Sequence, residues 1–144
     1  MKRLWLPLLT ALFIFWTAGW AQTQPATDGF IGRFVVTDIV GYDNVSGGIP
    51  EAKRLLGKTL VISSDAIEFD HDRCRPAKGF RIIEVEASHA LMKEYAVNAG
   101  DVGLSGKTLL LDSDDCAPVF KMDSRRIIFG WNGVIVRAIR DDAK

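Results

Sequence analysis

The apolar positions of this chain fall mostly into short runs of period two, punctuated by Gly, Asn, Asp and Ser. Residues 31–40 are rich in β-branched side chains and predict a long first strand. Segments 59–63 and 66–70 predict two strands around a tight Ser64-Asp65 turn, with Leu60, Ile62, Ile67 and Phe69 on a shared inner face. Further strands are predicted at 80–86, 107–111, 117–122, 126–131 and 134–139. The last two carry the strongest local signal, because Asn132-Gly133 is the preferred dipeptide of a two-residue type I′ hairpin. That turn would pair Trp131 with Val134, Phe129 with Val136 and Ile127 with Ala138, all six on one face. Arg126, Ile128, Ile135 and Arg137 would take the other.

Two stretches change period. Residues 50–56 predict a short helix, with Pro50 at its first position, Glu51 in the first turn, Lys53 and Arg54 in the last, and Gly57 as C-terminal cap. Residues 88–97 predict a second helix, capped by Ser88, with Leu91, Met92, Tyr95 and Ala96 on one face. Residues 71–78 read as irregular and 98–106 as a glycine-rich loop. Eight strands and two short helices predict a mainly β domain: an antiparallel eight-stranded barrel or strongly curled sheet. The alternative is an α+β fold, an open sheet covered by the second helix. An internal echo runs through this pattern. Residues 57–65 match residues 106–114 at six of nine positions, either as convergence on a common strand entry and turn or as two related halves of one sheet.

The first residues break from the pattern. Met1-Lys2-Arg3 is basic, residues 4–18 are nearly all apolar, and Gly19-Trp20-Ala21 offers small residues where a signal peptidase reads. The expected organisation is a signal peptide at 1–21, a loose leader at 22–29 and a single domain at 30–144. Pro7 and the short apolar run speak against a stable membrane anchor. Cleavage would take Lys2 and Arg3 from the 18 basic side chains, leaving 16 against 18 acidic, and would leave Trp131 as the only tryptophan. Neither count gives the broad basic field expected of a nucleic-acid binder.

Cys74 and Cys116 are the only cysteines. In an exported chain the simplest reading is one disulfide; the alternatives are a thiol nucleophile or metal ligands. Such a bridge would draw the basic cluster Arg73, Arg75, Lys78 and Arg81 against the acidic cluster Asp112, Asp114 and Asp115. This rim is either a set of internal ion pairs or a surface for an anionic partner, such as a cell-wall polymer or an acidic protein patch. Phe34, Phe69, Phe129 and Trp131 are positioned to line a cavity or to fill a core.

Other chemistry is harder to place. Gly57-Lys58-Thr59 and Gly106-Lys107-Thr108 suggest a phosphate loop, but the required upstream glycines are replaced by Ala52 and Asp101, and both tripeptides enter strands. Asp70-His71-Asp72 lacks a second cluster at metal-ligand spacing. Asp112, Asp114 and Asp115 lack the glycine and distal glutamate of a calcium loop. Only His71 and His89 offer an imidazole base. No cofactor, metal or catalytic residue is therefore expected.

Gly32-Arg33-Phe34 on the first strand resembles the lipocalin Gly-x-Trp motif, with Phe in place of Trp. The order of elements resembles small secreted lipocalin-like, calycin-type barrels. That resemblance implies that Arg137 on the last strand packs across the first-strand aromatic. Leu55-Leu56-Gly57-Lys58-Thr59-Leu60, Cys74 and Trp131-Asn132-Gly133-Val134 together resemble a group of uncharacterised small exported bacterial proteins. Lysozyme-inhibitor barrels of the periplasm are similar in size, disulfide and compartment. The resulting expectation is a non-enzymatic periplasmic or secreted binding protein, an inhibitor or immunity-type partner of a cell-envelope protein or cell-wall polymer. The alternative is a lipocalin-like carrier of a small apolar ligand.

Overall fold

The computed structural model describes residues 29–42 and 46–142. The expected signal peptide, and the leader up to residue 28, lie outside the described residues. Among the described residues nine strands form one antiparallel sheet: β1 (Gly32–Tyr42), β2 (Thr59–Ile62), β3 (Ile67–Phe69), β4 (Asp72–Cys74), β5 (Arg81–Glu86), β6 (Lys107–Asp112), β7 (Val119–Lys121), β8 (Arg126–Trp131) and β9 (Val134–Arg140). Their spatial order is β4-β3-β2-β1-β9-β8-β7-β6-β5. Two helices, α1 (Ile49–Lys53) and α2 (Ala87–Tyr95), and a 3-10 turn at Gly100–Val102 complete the described fold. The mainly β, strongly curled sheet is the predicted class. The strand count is nine rather than eight, because part of the segment read as irregular forms β4. Asp70 and His71 both adopt left-handed backbone angles and turn the chain straight back along β3.

Curling follows from the register and the core. β1 pairs with β2 over its first half and with β9 along nearly its whole length, and two irregularities in the second ladder, at Val36/Asp38 and Ile39/Gly41, bend it. Phe34 and Val36 of β1 then share one interior with Leu60 and Ile62 of β2, Ile67 and Phe69 of β3, and Ile127, Phe129, Val134, Val136 and Ala138 of β8 and β9. Phe69 meets Phe129 edge-on at 5.1 Å, although β3 and β8 lie four places apart in the sheet. Ala52 and Leu55, in and just after α1, are buried in the same interior. The sheet thus wraps around its inner face as a half-barrel.

The hairpin forms as its sequence predicts. Asn132 and Gly133 carry φ of 48° and 76°, and the three expected pairs across it are all present. The opposite face is not simply solvated. Leu110, Phe120, Ile128 and Ile135 pack outward against Ala87, Ala90 and Leu91 of α2 and against Ala99, Val102 and Leu104 beyond it. The covering helix of the alternative prediction is therefore present, on the outside of a curled sheet.

Both helices are displaced from their expected bounds. α2 begins at Ala87 with Glu86 as its N-cap, and Ser88 makes no capping bond. The Ala87 amide still donates to the Gly106 carbonyl at 2.8 Å, so the sheet ladder runs directly into the helix and leaves no place for a separate cap. Met92 lies outside the packed face and is 48% exposed. α1 ends at Lys53, and the chain descends through turns to Gly57, whose amide donates to the Val36 carbonyl at 2.9 Å.

The echo has a partial structural counterpart. Gly57 and Gly106 share a left-handed conformation, and Ile62 and Leu111 share the inner face. The serine turns that follow are one residue out of step. Ser63 Oγ accepts from the Ala66 amide at 3.1 Å, while Ser113, the match of Ser64, accepts from the Cys116 amide at 3.0 Å.

Candidate functional site

The described cysteines form a single disulfide, Cys74–Cys116, with Cα atoms 5.7 Å apart. Cys74 ends β4, one edge of the sheet, and Cys116 lies between β6 and β7, near the other edge. The bridge therefore staples the two ends of the curled sheet into a seam. The link from β4 to β5 runs along the same seam.

The charged rim assembles there in two groups. Arg81 Nη2 donates to Asp112 at 2.6 Å and to Asp114 at 3.3 Å. The Asp112 hydrogen bond and the two negative charges raise the pKa of the Arg81 guanidinium above its ordinary value. Lys78 lies 3.4 Å from Asp114, and the Ala77 amide donates to Asp115 at 2.9 Å. Lys78, Arg81, Asp112, Asp114 and Asp115 thus meet across the seam. Arg73 and Arg75 turn the other way: Arg73 pairs with Glu68 of β3 at 2.6 Å and Arg75 with Asp65 at 3.4 Å. The Asp65 carboxyl is held below its ordinary pKa, first by a hydrogen bond from Ser63 and then by the charges of Arg75 and Arg73. These pairs are solvent-exposed, with Lys78 84% exposed, and each contributes little to stability.

The four aromatic candidates sit inside the half-barrel. Phe34, Phe69 and Phe129 are each 1% exposed. Trp131 is half-buried against Phe69, with ring centroids 5.1 Å apart and near-perpendicular planes. The phenylalanines and the tryptophan thus occupy the inner face as packed side chains.

The first-strand motif has a different basic partner from the one expected. Arg140, rather than Arg137, covers Phe34, with its guanidinium carbon 4.6 Å from the ring centroid. It also donates to the carbonyls of Ile31 at 2.8 Å and Gly29 at 2.9 Å, so Gly29, assigned to the leader, is tied to the domain. Gly32 has a φ of 146°, which L side chains rarely adopt, and a Cβ there would also press on that guanidinium, which accounts for the glycine two residues before the aromatic. Arg137 points to the outer face, where it donates to the Val102 carbonyl at 3.2 Å and lies 3.7 Å from Asp38.

The remaining candidates are dispersed. His71 lines a cleft of about 260 Å³ with Asp70, Asp72 and Glu68, whereas His89 lines a separate groove of about 300 Å³ between α2 and β5–β6. Asp70 is engaged by Lys58. Among the described residues no group of three or more His, Cys, Asp or Glu side chains gathers as metal ligands would, and no helix is long and apolar enough to cross a membrane. The groove between α2 and β5 was not legible in the sequence because its walls come from separate segments of the chain, and local periodicity does not say which strand the helix covers. Their shared signal was the outward apolar parity of Ile83, Val85 and Leu110.

Comparison with known protein families, curated proteins and solved structures finds no match to this chain.

Proposed function

We infer that the chain is a non-enzymatic binding protein of the cell envelope, exported by its first 21 residues, whose recognition surface is the polar rim at the disulfide seam. The observation that carries this reading is the rim itself. Beside one bridge, Lys78 and Arg81 pair with Asp112 and Asp114, and the adjoining Arg73 and Arg75 pair with Glu68 and Asp65, so that two exposed groups of charges make up one rim. Exposed charges contribute little to folding but much to encounter rate and partner choice. The disulfide suits an oxidising compartment. The packed aromatic interior favours a partner held on the outer surface over an apolar ligand held within. An envelope protein is the preferred partner, in the manner of an inhibitor or immunity factor.

The test is to immobilise the mature protein and pass envelope extract over it, comparing wild type with Arg73→Glu/Arg75→Glu. Both side chains are exposed, so the variant is expected to keep its fold within about 1 kcal/mol. A specifically retained component lost by the variant is the expected result. No specific retention by wild type, or equal retention by both proteins, would overturn the reading.

A further inference from the structure

β5 is a terminal strand of the sheet. It pairs with β6 from Arg81↔Asp112 to Glu86↔Lys107, and the next pair is bonded through the Ala87 amide and the Gly106 carbonyl. Bonded residues alternate along an antiparallel ladder. Val85, Ile83 and Arg81 therefore bond inward to β6. Ile82 and Glu84 aim their amides and carbonyls away from the sheet, as Glu86 does its amide, and among the described residues no backbone group outside the sheet pairs with these, whereas the Glu86 carbonyl belongs to the first turn of α2.

The side chains alternate in step with the backbone. Ile83 and Val85 face outward into the groove of about 300 Å³, with His89, Ala90, Lys93 and Glu94 of α2 on one side and Leu110 and Asp112 of β6 beneath. Ile83 is 40% exposed. Glu84 and Glu86 occupy the other parity, and Glu86 also borders the groove where β5 passes into α2. Lys107, the ladder partner of Glu86, donates to Glu84 at 2.9 Å and also feels the charge of Glu86, which makes no closer ion pair among the described residues. At one end of the strand lies Arg81, within the charged rim. An open strand edge, an apolar groove and two alternating carboxylates thus share six residues.

We propose that β5 accepts an extended segment of a protein partner as an added strand. Basic side chains of the segment meet Glu84 and Glu86, and alternating apolar side chains enter the Ile83–Val85 groove. Backbone pairing supplies affinity in this mode, and the alternating pockets supply specificity. The proposal rests on the inference that this seam binds a partner, and it names that partner's chemistry.

The probe is an acetylated, amidated heptapeptide alternating Lys and Val, with a Glu-Val heptapeptide as control. Binding is followed by amide NMR of the labelled mature protein. The Lys-Val peptide is expected to shift and protect the amides of Ile82, Glu84 and Glu86, with the control at least tenfold weaker. Glu84→Pro removes an outward amide and leaves the β6 ladder intact, so it is tolerated at this edge. It is expected to weaken binding at least tenfold, while Glu84→Gln weakens it about threefold. Glu86→Lys, which leaves the backbone untouched, is expected to reverse the preference between the two peptides. Absence of peptide binding, or binding unchanged by both Glu84→Pro and Glu86→Lys, would overturn the strand-addition proposal. Envelope capture is run with the same variants. A component lost with Arg73→Glu/Arg75→Glu but kept by Glu84→Pro would overturn strand addition while sparing the rim. Failure of wild type to retain any component would count against the rim itself.

Discussion

At the scale of single residues, Tyr95 and Arg140 show how a few polar groups position whole elements. The Tyr95 hydroxyl donates to the Pro118 carbonyl at 2.7 Å and accepts from the Gly130 amide at 2.9 Å, fastening the end of α2 to β8. A Cβ at Gly130 would run into the Tyr95 ring, so the glycine and the tyrosine form one fitted pair. Tyr95→Phe keeps the ring but leaves the Gly130 amide without its acceptor, at a cost of about 1–3 kcal/mol near neutral pH. Burial raises the Tyr95 pKa above the ordinary phenol value of 10.0. A folded-state pKa above the unfolded one favours the folded, protonated form below pH 10.0, and that advantage declines as the pH climbs from there toward the folded value. Denaturant titrations at pH 7, 9, 10 and 11 should therefore show wild type losing stability faster than Tyr95→Phe above pH 10, so that the gap between them narrows. A constant gap would contradict this account. Arg140 was invisible as a partner of Phe34 because sequence parity alone does not say which last-strand arginine reaches the start of β1. The register does: Phe34 lies opposite Arg140, while Arg137 lies opposite Asp38 beyond an irregularity in the ladder.

At the scale of elements, the contrast between Leu91 and Met92 tests how α2 sits. Helical periodicity placed both on the buried face, yet Leu91 is fully buried and Met92 is 48% exposed. Leu91→Ala should cost about 2–4 kcal/mol and Met92→Ala less than about 1 kcal/mol, measured by chemical denaturation. Similar losses at the two sites would mean that the helix is rotated on the sheet. The helix face runs through Ala87, Ala90 and Leu91, and the two alanines carry too little apolar signal beside the larger Met92 to mark that face in the sequence. The β8–β9 hairpin was legible because its period and its turn residues specify the same register. β4 was not, because three residues with charged neighbours carry no apolar alternation of their own. Its pairing is imposed by the Asp70-His71 turn. Leu110-Leu111 and Ile127-Ile128 also blur the alternation, since adjacent residues are buried on opposite faces of a sheet packed on both sides. The charged rim was legible as a cluster because it follows from the cysteine pair. Its division into two groups was not, because the turn and strand partners of Arg73 and Arg75 depend on how β3 and β4 pair.

At the scale of the whole molecule, the half-barrel depends on one covalent bond in place of a last strand pairing. A closed barrel would join its terminal strands by a ladder of hydrogen bonds. Here the terminal strands are β4 and β5, and Cys74–Cys116 draws one sheet end to the other across a sequence separation of 42. Closing that loop removes chain entropy from the unfolded state worth about 4 kcal/mol, a large share of the roughly 5–15 kcal/mol by which domains are stable. Cys74→Ser/Cys116→Ser is therefore expected to lower stability by about that amount, and reduction of wild type should lower it to a similar degree. The loss should also be local in its first effects. β8 and β9 pair over six positions and bury residues on both faces, whereas β4 pairs over three and has a neighbour on one side. Hydrogen exchange in the double-serine protein should accelerate first in β3, β4 and the link to β5, with β8 and β9 protected until global unfolding. Uniform acceleration across all nine strands would mean that the bond acts on the unfolded chain alone. Acceleration confined to the seam would identify the disulfide as the part that holds the rim and the β5 edge in one fixed arrangement.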